Sequence, residues 1–127
     1  MDYVDPLIDS AHSRWTFFSS ACRPFGMVNL SPDTDTESEW KSGYRYHTGT
    51  ICGFSHVHAY QLGGISVMPV VGEIDPTEGA NAYRSSFSHS NEVCQAGYHA
   101  VTLDRYGILV ELTSTDRVGF HREPLRA

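Results

Sequence analysis

Residues able to bind or react gather in the first half of the chain. The segment Gly53-Phe54-Ser55-His56-Val57-His58 carries two histidines one residue apart. On an extended strand such positions share a face, so both imidazoles could grip one metal ion. A double-stranded β-helix metal enzyme adds a third ligand, commonly a glutamate three or four residues after the second histidine, but Gln61 and Leu62 stand there. The ligand count fails, and no metal ligand is assigned. The pattern favours one imidazole hydrogen-bonded within a sheet and the other facing a cleft.

Trp40, followed by Ser42-Gly43-Tyr44-Arg45-Tyr46, is a second group. A tryptophan in a polar loop either caps the edge of a core or offers a flat ring to a sugar, with its indole N–H free for a hydroxyl. The stretch Asp33-Thr34-Asp35-Thr36-Glu37-Ser38-Glu39 alternates acids. It lacks the glycine and the closing glutamate of an EF-hand, so it reads as a solvated acidic loop. Glycoside hydrolysis needs two carboxyl groups, about 6.5–9.5 Å apart in an inverting site. Fifteen acids are present, and their spacing marks no converging pair. No G-x-S-x-G turn or protease-like cysteine context occurs either. No catalytic residue is assigned to this segment.

The elements that would position these groups read as strands. Gly26–Leu30 is a short apolar run closed by Ser31-Pro32-Asp33, and Ile65–Val71 is another, confined to an edge or bulge by Pro69. Tyr98–Leu103 and Ile108–Thr113 form a hairpin around Asp104-Arg105-Tyr106-Gly107, with Ile108, Val110 and Leu112 on one buried face. Arg117–His121 supplies one more strand. No long window holds a helical period; Ser88–Cys94 has a capping-like start that Gly97 ends within two turns. The fold class is therefore all-β, a β-sandwich with long loops, the longest running from Ser31 to about Thr50.

A chain of 127 residues makes one domain. With 40% hydrophobic and 19% charged residues it is ordinary for a globular protein. A net charge of −6 without a basic cluster argues against nucleic acid as a partner. No apolar stretch reaches the roughly 18 residues of a membrane span. The N-terminus Met1-Asp2-Tyr3-Val4-Asp5 carries no signal peptide pattern. Cys22, Cys52 and Cys94 allow either one disulfide and a free thiol or three buried thiols.

The order of segments resembles glycoside hydrolase family 92, the calcium-dependent exo-α-mannosidases. Tyr3-Val4-Asp5-Pro6-Leu7-Ile8 is similar to the family's start, and Pro24-Phe25-Gly26-Met27-Val28-Asn29-Leu30-Ser31-Pro32-Asp33-Thr34 to its most recognisable N-terminal motif. Trp40, Ser42-Gly43-Tyr44, Gly53–His58, Met68-Pro69, Phe87-Ser88-His89, Gly97-Tyr98, Val110–Thr113 and Arg117–Arg122 follow in order. The chain departs from many members at Asp9–Arg14, where a Gly-rich run is usual, and at Ala59–Gly64, a loop tied to linkage preference.

The resemblance implies a supersandwich-like N-terminal β-sandwich over residues 1–127, ending before the domain closes. The (α/α)6 catalytic barrel, with the general acid, the general base and most calcium ligands, would lie outside this segment. The implied activity is removal of terminal α-linked mannose, of the α-1,2 type, with inversion. Calcium would be the cofactor of the parent enzyme. Mannose-containing glycans and the C-terminal catalytic domain would be the partners, and the parent would be secreted or periplasmic. This segment would form one wall of the sugar pocket, inactive alone, with Trp40, His56, His58 and Tyr44 as substrate-binding residues. Two other readings stand beside it. One is a free-standing carbohydrate-binding β-sandwich using Trp40, Tyr44 and Tyr46; the other is a small metal-dependent β-barrel enzyme built on His56 and His58.

Overall fold

The computed structural model describes residues 3–11, 21–34, 43–58 and 62–124. Its strands are β1 (Ala21–Cys22), β2 (Asn29–Asp33), β3 (Thr50–Ile51), β4 (Gly53–His58), β5 (Leu62–Val67), β6 (Ser85–Ser86), β7 (Val93–Gln95), β8 (Tyr98–Leu103), β9 (Ile108–Ser114) and β10 (Gly119–Arg122). Among the described residues they form two four-stranded antiparallel sheets, β1-β2-β4-β5 and β10-β9-β8-β7, with a small β3-β6 pair beside them. The architecture is the expected β-sandwich; it is not a barrel.

The hairpin β8–β9 follows the alternation read from the sequence. Ile108, Val110 and Leu112 pair with Leu103, Val101 and His99, and these six side chains turn to the inner face. Four residues connect the strands, and Gly107 takes φ +64°, the left-handed position such a loop needs. Across the gap Ala21, Leu30 and Phe54 meet them to close the core, with Ile51 and Phe87 at one end. One row crosses the whole inner face of the second sheet, pairing His121 with Leu112, Leu112 with His99, and His99 with Cys94. An apolar residue thus separates the buried His99 from the half-buried His121 in the middle of the sandwich.

Several boundaries move. The strand expected at Gly26–Leu30 lies at Asn29–Asp33, because Gly26 belongs to a turn and the backbone N–H of Met27 donates to Asp116 O at 2.7 Å. Pro32, expected to close the strand, sits inside it opposite Phe54. Among the described residues β1 pairs with β2 only at Asn29 and Leu30, so no ladder bond from that side is described at Pro32. β5 stops at Val67, ahead of Pro69. The capping-like Ser88 does cap, its Oγ accepting from Ser90 N, but the helix is a single 3-10 turn, His89–Asn91, and β7 follows it.

Arg23-Pro24-Phe25-Gly26 is a tight turn closed by Gly26 N donating to Arg23 O at 2.9 Å. Phe25 occupies its third position at φ +60°, where glycine is the unstrained residue, and its side chain is fully exposed. Phe25→Gly should raise stability by about 0.5–1 kcal/mol, the left-handed penalty outweighing the extra freedom of glycine in the unfolded chain. Urea midpoints of the two proteins measure this. A lower midpoint for the variant would show that the ring packs on something.

Candidate functional site

β4 carries the two histidines, and it does not place them together. Phe54 lies in the core, so Ser55 points to the other face. His58 shares Ser55's face, three residues on, which regular alternation forbids. The register shift between Ser55 and Val57 supplies the odd step. The shared-face geometry expected of H-x-H is therefore absent: His56 meets His121, while His58 meets Asp33 and Asn29.

His58 is buried and bonded at both nitrogens. Nδ1 lies 2.6 Å from Asn29 O, a carbonyl that can only accept, so Nδ1 carries the hydrogen. Nε2 lies 2.7 Å from Asp33 Oδ1 and 3.1 Å from Ser55 Oγ. Ser55 Oγ donates to Asp33 Oδ1 at 2.9 Å and Ser66 Oγ to Oδ2 at 3.0 Å. Gly53 makes room for this, since a Cβ there would stand 2.3 Å from Ser66 Oγ. Asp33, read from the sequence as the start of a solvated acidic loop, is instead fully buried. The reason is that three groups from β4 and β5, namely Ser55, His58 and Ser66, converge on it. Residues 35–39 of that loop lie outside the described residues.

His56 is half-buried. Its Nε2 lies 2.8 Å from His121 Nε2, joining β4 of one sheet to β10 of the other. One of the two must donate and the other accept, so both rings cannot be charged at once. Burial, then the neighbouring His121 and His58, hold His56 below the usual histidine range. Glu123 Oε1 stands 3.4 Å from His121 Nδ1, an ionic approach rather than an aligned hydrogen bond. Gly119 allows the contact, because a Cβ there would meet His56 Nε2 at 3.1 Å and Leu30 Cδ2 at 3.2 Å.

Tyr44 is also fully buried, with no ring face turned to solvent. Its hydroxyl donates to Glu92, at 2.9 Å from Oε1 and 3.1 Å from Oε2. Glu92 meets His89 Nδ1 on one side and His99 Nε2, at 2.9 Å, on the other. His89 Nε2 donates in turn to Tyr46 O at 2.8 Å, and its ring stacks on that of Tyr46 at 4.0 Å. Neither Asp33, Glu92, His99 nor His121 was marked as a site residue by sequence. Asp33 stood in the acidic stretch, and His121 closed an expected strand.

Trp40 lies outside the described residues. The chain on either side of its segment is held together: Thr34 N donates to Gly43 O at 2.9 Å, and Arg45 N donates to Thr34 Oγ1 at 2.7 Å. A separate cavity of about 480 Å3 lies beside the Phe25 turn, lined by Val4, Pro6, Cys22, Pro24, Phe25 and Gly97 among others. No disulfide joins Cys22, Cys52 or Cys94 among the described residues. Could this segment hold calcium? Asp33 and Glu92 have their oxygens bonded by serine, histidine and tyrosine, and Glu111 accepts from Tyr98 and Arg122. These carboxylates do not fit a hard cation that needs several free oxygens.

Residues 3–123 match the Glycosyl hydrolase family 92 N-terminal domain. Among solved structures, a family 92 α-mannosidase from Bacteroides thetaiotaomicron is similar at 33% identity and a TM-score of 0.77, over 96% of this chain and 18% of that one. A structure of such an enzyme with mannoimidazole, from the same organism, gives 30% identity and 0.65, over 94% of this chain and 18% of that one. An inverting family 92 mannosidase of that bacterium shares the fold, at 24% identity and 0.75, over 97% and 17% of the two chains. The chain thus spans under a fifth of the structures it matches. A comparison with curated proteins returned no match.

The Glu92 cluster makes stability depend on pH in two directions. Burial would raise the Glu92 carboxyl, but bonds from His99, His89 and Tyr44 outweigh it and hold the group below the usual glutamate range. That stabilisation is present above the ordinary glutamate pKa and fades as pH falls through the lowered value. Burial would lower His99, but Cys94 and Glu92 outweigh it and hold the ring above the usual histidine range. That stabilisation is complete below the ordinary histidine pKa and fades as pH rises through the raised one. The melting temperature should peak between roughly pH 4.5 and 6.5 and fall on both sides. In Glu92→Gln both limbs should flatten; a variant with the parent's full pH profile would rule the cluster out as its source.

Proposed function

The chain belongs to glycosyl hydrolase family 92, as N-terminal domain sequence, and on that premise we propose that it forms one wall of the sugar site of an exo-acting α-mannosidase. The observation that carries this reading is the match over residues 3–123 together with 33% identity to a solved α-mannosidase across 96% of the chain. The substrate would be a terminal α-linked mannose, of the α-1,2 type, on a glycan. Hydrolysis would proceed by single displacement with inversion, one carboxylic acid assisting the leaving sugar while a carboxylate activates water. The buried carboxylates described above already accept bonds within the fold, and the family resemblance assigns both catalytic groups to the rest of the polypeptide. Calcium, where the parent uses it, is assigned to that part too. Such glycans place the parent outside the cytoplasm, secreted or periplasmic.

Within this segment the four residues take different roles. Trp40 is assigned to the sugar face, on a segment whose two ends are clamped at Thr34 and Gly43. His56 keeps an accessible edge and is the second contact. Tyr44 and His58 act one step behind, holding the wall through Glu92 and Asp33.

The test is expression of the reading frame continued beyond Ala127, beside the 127-residue chain. The longer polypeptide should release mannose from α-1,2-mannobiose with the β-anomer appearing first by NMR, and the short chain should release none. Trp40→Ala in the longer polypeptide should lower kcat/KM by about tenfold or more, equivalent to about 1.4 kcal/mol of lost transition-state binding. A longer polypeptide, folded and supplied with calcium, that leaves all α-mannosides intact would end this reading.

A further inference from the structure

We propose that Cys94 is a site of covalent modification by small disulfides of the oxidised-glutathione class, its thiol activated by the ring of His99. This reactivity does not depend on the mannosidase reading. In the register of β7 with β8, Cys94 lies opposite His99, so the two side chains share a face. Cys94 Sγ is 3.8 Å from His99 Nδ1, a weak sulfur hydrogen bond. On the far side of the ring, Nε2 stands 2.9 Å from Glu92 Oε1. Tyr44 and His89 hold that carboxylate in turn, and the Tyr44 ring meets the His99 ring edge-on. A nucleophile, a base and a group that orients the base therefore stand in sequence, which is the arrangement that activates a thiol.

One proton serves the thiol and the ring. On sulfur it leaves a thiol beside a base; on Nδ1 it leaves a thiolate beside an imidazolium that Glu92 favours. Burial alone would lower the His99 ring, yet Cys94 and Glu92 hold it above the usual histidine range. The other two thiols are placed differently. Burial pushes the Cys22 thiol up, which keeps its proton on sulfur. Cys52 Sγ donates to Asp33 O at 3.0 Å, and a carbonyl does not take the proton away. Cys94 also has an approach, since β7 is the outer strand of its sheet among the described residues and the residue is partly exposed. That partial exposure suits a small disulfide rather than a protein one. In the reaction Cys94 Sγ attacks one sulfur of the disulfide and a new S–S bond forms. The old S–S bond breaks, and the departing thiolate takes the proton that His99 removed. One thiol and one disulfide are consumed, and one mixed disulfide and one thiol result.

The test is reaction of the 127-residue chain with oxidised glutathione at neutral pH, in buffer and in urea. Peptide mass spectrometry counts the adduct on each cysteine. Folding shields an ordinary thiol, so Cys22 and Cys52 should react more slowly in buffer than in urea, and that slowing reports the fold. Should they not slow, the same comparison is made in the polypeptide continued beyond Ala127. Cys94 should behave oppositely and react about threefold or more faster in buffer than in urea. A Cys94 that slows on folding like the other two would overturn the proposal. His99→Gln should remove the acceleration while Cys22 and Cys52 stay slow. An unchanged Cys94 rate in that variant would credit exposure alone and overturn the proposal as well. If His99→Gln releases Cys22 and Cys52, the variant has lost its fold, and Glu92→Gln takes its place. There the Cys94 rate should fall by about threefold or more, and an unchanged rate would again overturn the proposal.

Discussion

A carboxylate sealed inside a β-sandwich is tolerable only while other segments keep donors aimed at it, and two such carboxylates organise this chain. Asp33 draws donors from β4 and β5 onto the end of β2. Glu92 draws Tyr44 from the loop after β2, His89 from its own turn and His99 from β8. The Asp33 network reinforces the pairing of β2, β4 and β5, while the Glu92 network ties Tyr44 to β8. Removing one donor would leave the rest buried and undersatisfied, so the networks fix position more than they add net stability. The segment bearing Trp40 runs between them, its ends placed by Asp33 and Thr34 on one side and Gly43 and Tyr44 on the other.

How much of this was legible depended on whether the signal was local. The β8–β9 hairpin was readable because Ile108, Val110 and Leu112 alternate and Gly107 stands where a left-handed residue is needed. The all-β class followed from the same kind of pattern. Pro32 misled because its compatibility with β2 depends on how far β1 extends, a fact about a different strand. His56 and His58 misled for a related reason. Alternation assigns them one face, but the register shift opposite β5 turns His58 toward Ser55. Asp33 read as a solvated acid, since nothing near it in sequence announces donors 22 to 33 positions away, and Tyr44 reaches Glu92 across 48. Ordered motifs carried the family likeness where local chemistry was silent.

The half-buried pair His56–His121 differs in kind from the two carboxylate networks. The shared hydrogen bond needs at least one neutral ring, and Glu123 stands beside His121 on its other side. Its geometry needs Gly119 to stay without a side chain, and His121 brings Phe54 into the same contact. The pair therefore sets where the second sheet lies across the first.

The linkages that close the sandwich span long stretches of chain. Arg23 Nε donates to Ser114 O across 91 positions, and His56 meets His121 across 65. During synthesis β1, β2 and β4 thus emerge well before the strands that will cover them, and they must remain extended without their sandwich partners until β9 and β10 leave the ribosome. Contacts of such high separation slow folding, because the loop must be closed before any stabilisation is gained. The β8–β9 hairpin, whose contacts are local, is the natural first structure. Burial of Leu30 and Phe54 then waits on the last strands to appear, and during that interval the apolar first sheet is the part of the nascent chain that a chaperone would recognise.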